Sequence, residues 1–249
     1  MIKKSFVILP RFSINSEKKL WDNGVHSWDH FLQNSTVPGI SPQQKSYYDE
    51  FLTKAKRNLE VKNHDFFYHN LPKDEHWRLY QEFKEHLGFV DIETTGLSKH
   101  YNKITTISFW DGKEARTYIN GDNLTEENMI KEFDKHKVLI SFNGNTFDLP
   151  FIKEKFPSLN LEKPHIDLRW VGYKLGLKGG LKKIEKDLDI NRGSELADVD
   201  GYAAVKLWHS WEKRENKDAL DLLVRYNQED VINLEKLGNL MYNRLSQKV

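Results

Sequence analysis

At 249 residues, 38% hydrophobic and 30% charged, the chain can form one sizeable core with an appendage, or two small domains. It contains no cysteine, which excludes disulfides, thiolate zinc sites, iron–sulfur clusters and cysteine nucleophiles and is compatible with a reducing compartment. The formal net charge of +1 argues against a protein that coats nucleic acid through a uniform positive field, although an enzyme gripping a few nucleotides needs few phosphate contacts.

Residues 1–86 read as a small helical module. The apolar run Phe6–Leu9 is too short for a signal-peptide core and ends at Pro10-Arg11, and no apolar stretch is long enough to cross a membrane. A cytoplasmic location and no membrane partner are therefore expected. Ser16–Asp22 carries a candidate N-cap and is followed by Asn23-Gly24, the glycine suited to a left-handed C′ position. Ser27 opens a second helix through Leu32, and Ser41-Pro42 supply an N-cap and first-turn proline for a longer one to about Val61. A fourth helix is expected from Leu71-Pro72 to about His86.

From Phe89 the pattern changes to strands, and residues 87–249 read as a second domain. Lys103–Trp110, Asp111-Gly112 and Lys113–Ile119 spell an antiparallel hairpin with a preferred turn dipeptide. Thr125 caps an amphipathic helix to Lys137, and Val138–Phe142 is a short buried strand; a helical crossover into a strand predicts parallel pairing. Phe147–Phe156 is helical with Pro150 tolerated in its first turn, His165–Leu168 is a further strand, and Asp200–Arg214 and Asp218–Leu245 are closing helices. The fold class is α/β, a mixed sheet with an antiparallel hairpin flanked by helices.

Asp91 and Glu93 stand one residue apart inside the strand-like run Gly88–Leu97. Alternation points both carboxylates one way and Val90 and Ile92 the other. Two acids sharing a small volume repel and resist desolvation unless a cation neutralises them, and an oxygen-only pair suits Mg²⁺ or Mn²⁺. Asp148 follows the Val138–Phe142 strand, beyond the end that opens onto the functional edge of an α/β sheet. Tyr226 and Asp230 are i and i+4 on the last helix and share a face.

With these residues in order, the chain from Gly88 to Leu245 resembles the DEDD superfamily of exonucleases, the DnaQ-like branch of the ribonuclease H-like fold, and within it the YprB-type domains. Asp91-Ile92-Glu93-Thr94-Thr95-Gly96-Leu97 resembles its first motif nearly letter for letter, and Asn143 with Phe147-Asp148 its second. In the third motif one subclass has histidine five residues before the last Asp, where this chain has Arg225; the other has tyrosine four before it, which is Tyr226. The resemblance is thus to the tyrosine subclass. The helical Leu20–Leu32 region, with Gly24 between short helices, is similar to the segment preceding such domains, a much less specific likeness.

The resemblance implies two divalent ions, Mg²⁺ or Mn²⁺, bracketing the scissile phosphate about 3.5 to 4 Å apart. Asp91 would bridge both, Glu93 and Asp230 would complete the water-side ion, Asp148 would serve the second, and Tyr226 would orient the attacking water. Thr94, Leu97, Asn143 and Phe147 fall where the family meets the terminal nucleotide. The expected function is a 3′-5′ exonuclease on single-stranded nucleic-acid ends, DNA ahead of RNA; the alternatives are an endonuclease of ribonuclease H type and a non-catalytic nucleic-acid-binding scaffold. Outside the motifs, Asp167 reads as the N-cap of the next helix, with assistance to the site as the alternative, and His165 as a core or rim histidine. The basic run Arg169, Lys174, Lys178, Lys182, Lys183 and Arg192 reads by default as a solvated face, the alternative being that several of these meet phosphates, and Trp208 and Trp211 read as packing.

Overall fold

A computed structural model describes residues 1–193 and 200–248; residues 194–199 and Val249, which fall within the predicted 87–249 domain, lie outside the described residues. The chain divides into one unit of Met1–Lys84 with Glu162–Pro164 and another of Glu85–Leu161 with His165–Val249, where the sequence places the division at 86/87.

In the first unit α1 spans Ile14–Asp22 and is capped by Ser13, not Ser16: the Ser13 hydroxyl accepts the Ser16 amide. Gly24, at φ +82°, ends it in a Schellman arrangement, with Gly24 N bonded to Trp21 O and Val25 N to Leu20 O. The helices α2 (Trp28–Gln33) and α3 (Pro42–Glu60) start at Ser27 and Ser41 as predicted, the latter with a complete Ser41/Gln44 capping box. The apolar Phe6–Leu9 run is a buried turn. The fully buried Glu17 carboxylate accepts the Phe6 and Val7 amides, donors that a strand ladder would have required, and pairs with Arg78 at 2.8 Å.

The predicted fourth helix is corrected. An unpredicted α4 spans His64–Asn70, its weak helix propensity overridden by burial of Phe66 and Phe67, and beyond Pro72 the chain runs as 3₁₀ helix over Lys73–Leu79 and Lys84–His86. Glu75–Leu79 are all buried, so no polar face marks the segment, and Glu75 and Arg78, eclipsed at i and i+3 in 3₁₀ geometry, pair at 2.5 Å.

The second unit is built on a five-stranded sheet of β1 (Leu87–Thr94), β2 (Ile104–Trp110), β3 (Ala115–Ile119), β4 (Val138–Ser141) and β5 (His165–Asp167), in the order β3-β2-β1-β4-β5. The β3-β2-β1 half is antiparallel, while β4 and β5 join parallel, as the crossover pattern predicts. The hairpin connection is longer than the expected dipeptide: the Asp111 carboxylate accepts the Lys113 and Glu114 amides, so Asp111–Glu114 form the loop, with Gly112 at φ +89°.

The helices α5 (Glu126–Asp134, capped by Thr125) and α6 (Asp148–Lys155) cover one sheet face. There Val90, Ile92, Ile107 and Phe109 pack against Met129, Phe133, Phe151 and Ile152, and truncating a ring such as Phe109 to alanine would cost about 3–5 kcal/mol. The short helices α7 (Leu168–Lys174) and α8 (Leu181–Asp187) follow β5, and α9 (Gly201–Arg214) precedes the 30-residue α10 (Lys217–Ser246). α10 packs against β1, β2 and β3. Asp91 and Glu93 lie on the sheet face it covers, opposite Ser108 and Thr106 of β2.

Candidate active site

Around the acids β1 pairing becomes irregular on one edge and stops on the other. Against β2 the register shifts between Glu93 and Thr94, and the Thr94 hydroxyl donates to Gly96 O at 2.7 Å, turning the chain out of the sheet. Against β4 the ladder stops at Phe89, which leaves the amide of Ile92, between the two acids, to the carboxylate of Asp148 at 3.2 Å. Asp148 is delivered by the loop after β4. Asn143 there has φ +66°, and a Cβ on Gly144 would lie 2.0 Å from the Ser141 hydroxyl, so only glycine fits. Asp167 holds this loop, accepting the amides of Asn143 (2.7 Å), Asn145 (3.1 Å) and Arg169, the last as the predicted N-cap of α7.

Carboxylate oxygens of Asp91, Glu93 and Asp230 lie within 4.8 Å of one another. All nine residues singled out in the sequence, Asp91, Glu93, Thr94, Leu97, Asn143, Phe147, Asp148, Tyr226 and Asp230, line one cavity of about 600 Å³. Within it Asp148 is bonded to the β1 backbone and stands outside the three-carboxylate group, the Thr94 hydroxyl is taken by Gly96, and the Leu97 side chain is exposed at the mouth. Asn143 Oδ1 accepts from Arg169 and Thr146. Phe147 packs on Phe151, 4.9 Å between ring centres. Arg225, at the position of the alternative histidine, is exposed.

Burial raises the pKa of all four carboxyls. Burial first, and then Asp230 and Asp148, push Asp91 and Glu93 well above the carboxylate range. Burial takes Asp148 up to about 7, against hydrogen bonds from its own amide and that of Ile92. It takes Asp230 up to about 6, against the opposing pull of Arg192. Tyr226 is buried among the same acids, and burial with their charge drives its pKa upward, so the phenol remains protonated. An all-oxygen donor set of converging, desolvated carboxylates that resist ionising together fits a hard divalent cation.

Three contributors were not singled out as site residues. Asn227, wholly buried, donates to Asp91 Oδ2 at 2.7 Å and accepts from the Thr106 hydroxyl at 2.9 Å; its position three before Asp230, on the same helix face, was a usable signal. Arg192 pairs with Asp230 at 2.5 Å, and Lys182 lies 5.1 Å from the Tyr226 ring centre. Both belong to the run read as a solvated face, and both line the cavity together with Arg169, whereas Lys174, Lys178 and Lys183 are exposed. No sequence spacing links Arg192 or Lys182 to the acids, because α8 and its flanking loops bring them in. His165 bridges Ser141 and Asn145 at the rim of the loop, and Trp208 packs with Leu223 and Tyr226, as expected.

A mixed sheet whose central strand carries two carboxylates facing a third from the closing helix defines a nuclease enzyme with a ribonuclease H-like fold. The chain belongs to the RNase_H superfamily, whose family profile matches residues 88–242. A comparison with curated protein sequences finds no match. Among solved structures the chain is similar to NrnC of Brucella melitensis bound to pGG, with 19% identity over 68% of this chain and 78% of that one and a TM-score of 0.47. It is also similar to the apo form of a nuclease (17% identity, 66% and 75% covered, TM-score 0.49). A third likeness is to the family B DNA polymerase of the hyperthermophilic archaeon Pyrobaculum calidifontis (16% identity, 65% and 24% covered, TM-score 0.45). Among the described residues no helix is long and apolar enough to cross a membrane.

Proposed function

We propose that the protein is a metal-dependent 3′-5′ exonuclease of the tyrosine subclass, YprB-type, that hydrolyses the terminal phosphodiester of single-stranded nucleic acid, DNA ahead of RNA, in the cytoplasm. The observation that carries this reading is the convergence of Asp91, Glu93 and Asp230 oxygens within 4.8 Å, with Tyr226 one helical turn before Asp230. Two divalent ions, Mg²⁺ or Mn²⁺, would be held by Asp91 in common, by Glu93 and Asp230 on the water side and by Asp148 on the other, and when bound supply an acidified water and neutralise phosphate charge.

The chain's own residues account for the rest. Asp148, whose Oδ1 accepts the Ile92 amide, would offer its second oxygen to the ion. Tyr226, held protonated, hydrogen-bonds and orients the attacking water and does not serve as base. Leu97, exposed at the mouth, and Phe147, on the wall, offer apolar surfaces to the terminal base, and the turn at Thr94 and the amide of Asn143 flank its sugar. Water oxygen bonds to phosphorus, the P–O3′ bond breaks, the water proton ends on the departing 3′ oxygen, and a nucleoside 5′-monophosphate is released.

The test is digestion of 5′- and 3′-labelled single- and double-stranded DNA and RNA, with closed circles, in Mg²⁺ or Mn²⁺ beside Asp91→Ala. Stepwise loss from 3′ ends is expected. Cleavage of closed circles would overturn the exonuclease reading, and undiminished turnover in EDTA the metal reading.

A further inference from the structure

We propose that Arg192 is a catalytic residue that donates a hydrogen bond to a non-bridging oxygen of the scissile phosphate; this deepens the nuclease reading above and rests on it. The guanidinium is 7% exposed and fixed on one edge, where Nε and Nη2 donate to the buried Glu185 carboxylate at 2.7 and 2.9 Å. Nη2 also meets Asp230 at 2.5 Å. Nη1 is buried with no hydrogen-bond partner among the described residues. Arg192 lines the same cavity as Asp91, Glu93 and Asp230.

A buried donor left unpaired is costly, and among the described residues Nη1 has no acceptor, so it is open to one that arrives with substrate. The required acceptor is anionic, accommodates a planar donor and lies beside Asp230. A phosphate oxygen meets all three conditions, because guanidinium matches phosphate geometry and Asp230 stands where the scissile phosphate would be gripped. Glu185 holds the fork in place before substrate arrives, so little rotamer entropy is lost when phosphate binds. The donor would then face negative charge that grows on the phosphoryl oxygens as the P–O3′ bond opens.

A competing role makes Arg192 a stand-in for metal, neutralising Asp230 only while the acids lack cations. The two roles predict different variants. If Arg192 meets phosphate, Arg192→Ala lowers the single-turnover rate on a single-stranded oligonucleotide by about 10²-fold or more at saturating Mg²⁺. The Mg²⁺ concentration for half-activity then stays unchanged or falls, Arg192→Lys recovers only a minor part, and added guanidinium restores part of the rate of Arg192→Ala. Calorimetric titration of thymidine 5′-monophosphate into the Mg²⁺-loaded full chain would show about tenfold weaker binding in Arg192→Ala, with thymidine itself unaffected. An Arg192→Ala enzyme that matches wild type once Mg²⁺ is raised, or binds the monophosphate as tightly as wild type, overturns the proposal. If Arg192→Ala does not fold, full activity in the charge-conserving Arg192→Lys does so. A wild-type protein that cleaves no strand overturns instead the nuclease reading, and the monophosphate titration still reports whether Arg192 holds phosphate.

Discussion

Asn227 reaches from α10 to Asp91 on β1, donating a 2.7 Å hydrogen bond to Oδ2 while its own carbonyl is held by Thr106 on the neighbouring strand. The amide is wholly buried, so it fixes the Asp91 rotamer and ties the closing helix to two strands at the level of the acids. Groups that orient a metal ligand typically change metal affinity or activity by about 10- to 100-fold when removed. Asn227→Ala is expected to raise the Mg²⁺ requirement by that order. Asn227→Asp, which adds a further carboxylate to the cluster, is expected to do more harm. Titrating Mg²⁺ against turnover and against melting temperature checks both; an unchanged half-saturation in either variant contradicts this role.

Asp91→Ala and Asp230→Ala should each lower turnover by at least about 10²-fold with the fold preserved, and Tyr226→Phe by less, since the ring packing survives and only one hydrogen bond is lost. Circular dichroism of each variant beside single-turnover rates separates chemistry from folding. A Tyr226→Phe enzyme slower than Asp91→Ala would reverse the assigned roles.

The metal-free protein should lose stability as pH rises. Asp148 and Asp230 titrate at about 7 and about 6 in the folded protein, against an ordinary value of 3.8. The native state therefore retains protons that the unfolded chain has shed, and the stabilisation present below about pH 4 is lost progressively up to about pH 7. Divalent ions, which bind the ionised form, should protect most at the high end. At 100 times its Kd, Mg²⁺ adds about 2.7 kcal/mol, on the order of 5–10 °C in a chain of this size. The Mg²⁺-induced rise in Tm is expected to be larger at pH 8 than at pH 5, and Asp91→Asn should stabilise the metal-free protein at pH 8 while diminishing that rise. Equal Mg²⁺ increments at the two pH values would count against the cluster as the binding site.

Glu132 on α5 carries the opposite sign. Its buried carboxylate accepts from His136, Arg116, Lys135 and Tyr118; burial alone would raise its pKa, but these four donors together hold it well below the usual range. Its contribution is thus present above the unfolded value of 4.5 and is lost as pH falls beneath it. Glu132→Ala, which removes the buried carboxylate shared by Arg116, His136, Lys135 and Tyr118 while Arg116 keeps Asp111 and Glu114, should cost about 3 kcal/mol at pH 7. Glu132→Gln should flatten the acid limb of the stability curve. Urea unfolding at pH 7 and pH 3.5 measures both, and an unaltered acid limb in Glu132→Gln would show that other groups govern it.

The central strand was legible because its two faces differ in kind: Val90 and Ile92 alternate with Asp91 and Glu93, and the packing follows that alternation. Caps at Ser27, Ser41 and Thr125 were readable because each involves residues within three positions. The Lys73–Leu79 segment was not, since it is buried without a polar face. Arg192 and Lys182 looked like ordinary surface cations, because their partners Asp230 and Tyr226 lie tens of residues away and only the tertiary fold makes them neighbours. The Asp148 position beyond β4 is legible in the sequence, but its bond to Ile92 depends on where β4 stops, a matter of strand length that composition does not encode.

The 30-residue α10 brings Tyr226, Asn227 and Asp230 to the sheet on one rod about 45 Å long. Each residue advances a helix by about 100°, so inserting or deleting one between Asn216 and Tyr226 would swing all three groups off the acids together unless the rod itself slid. Side chains on its solvent face can be exchanged freely, while its length up to Asp230 cannot. The site is therefore protected less against substitution than against a single-codon slip in that helix.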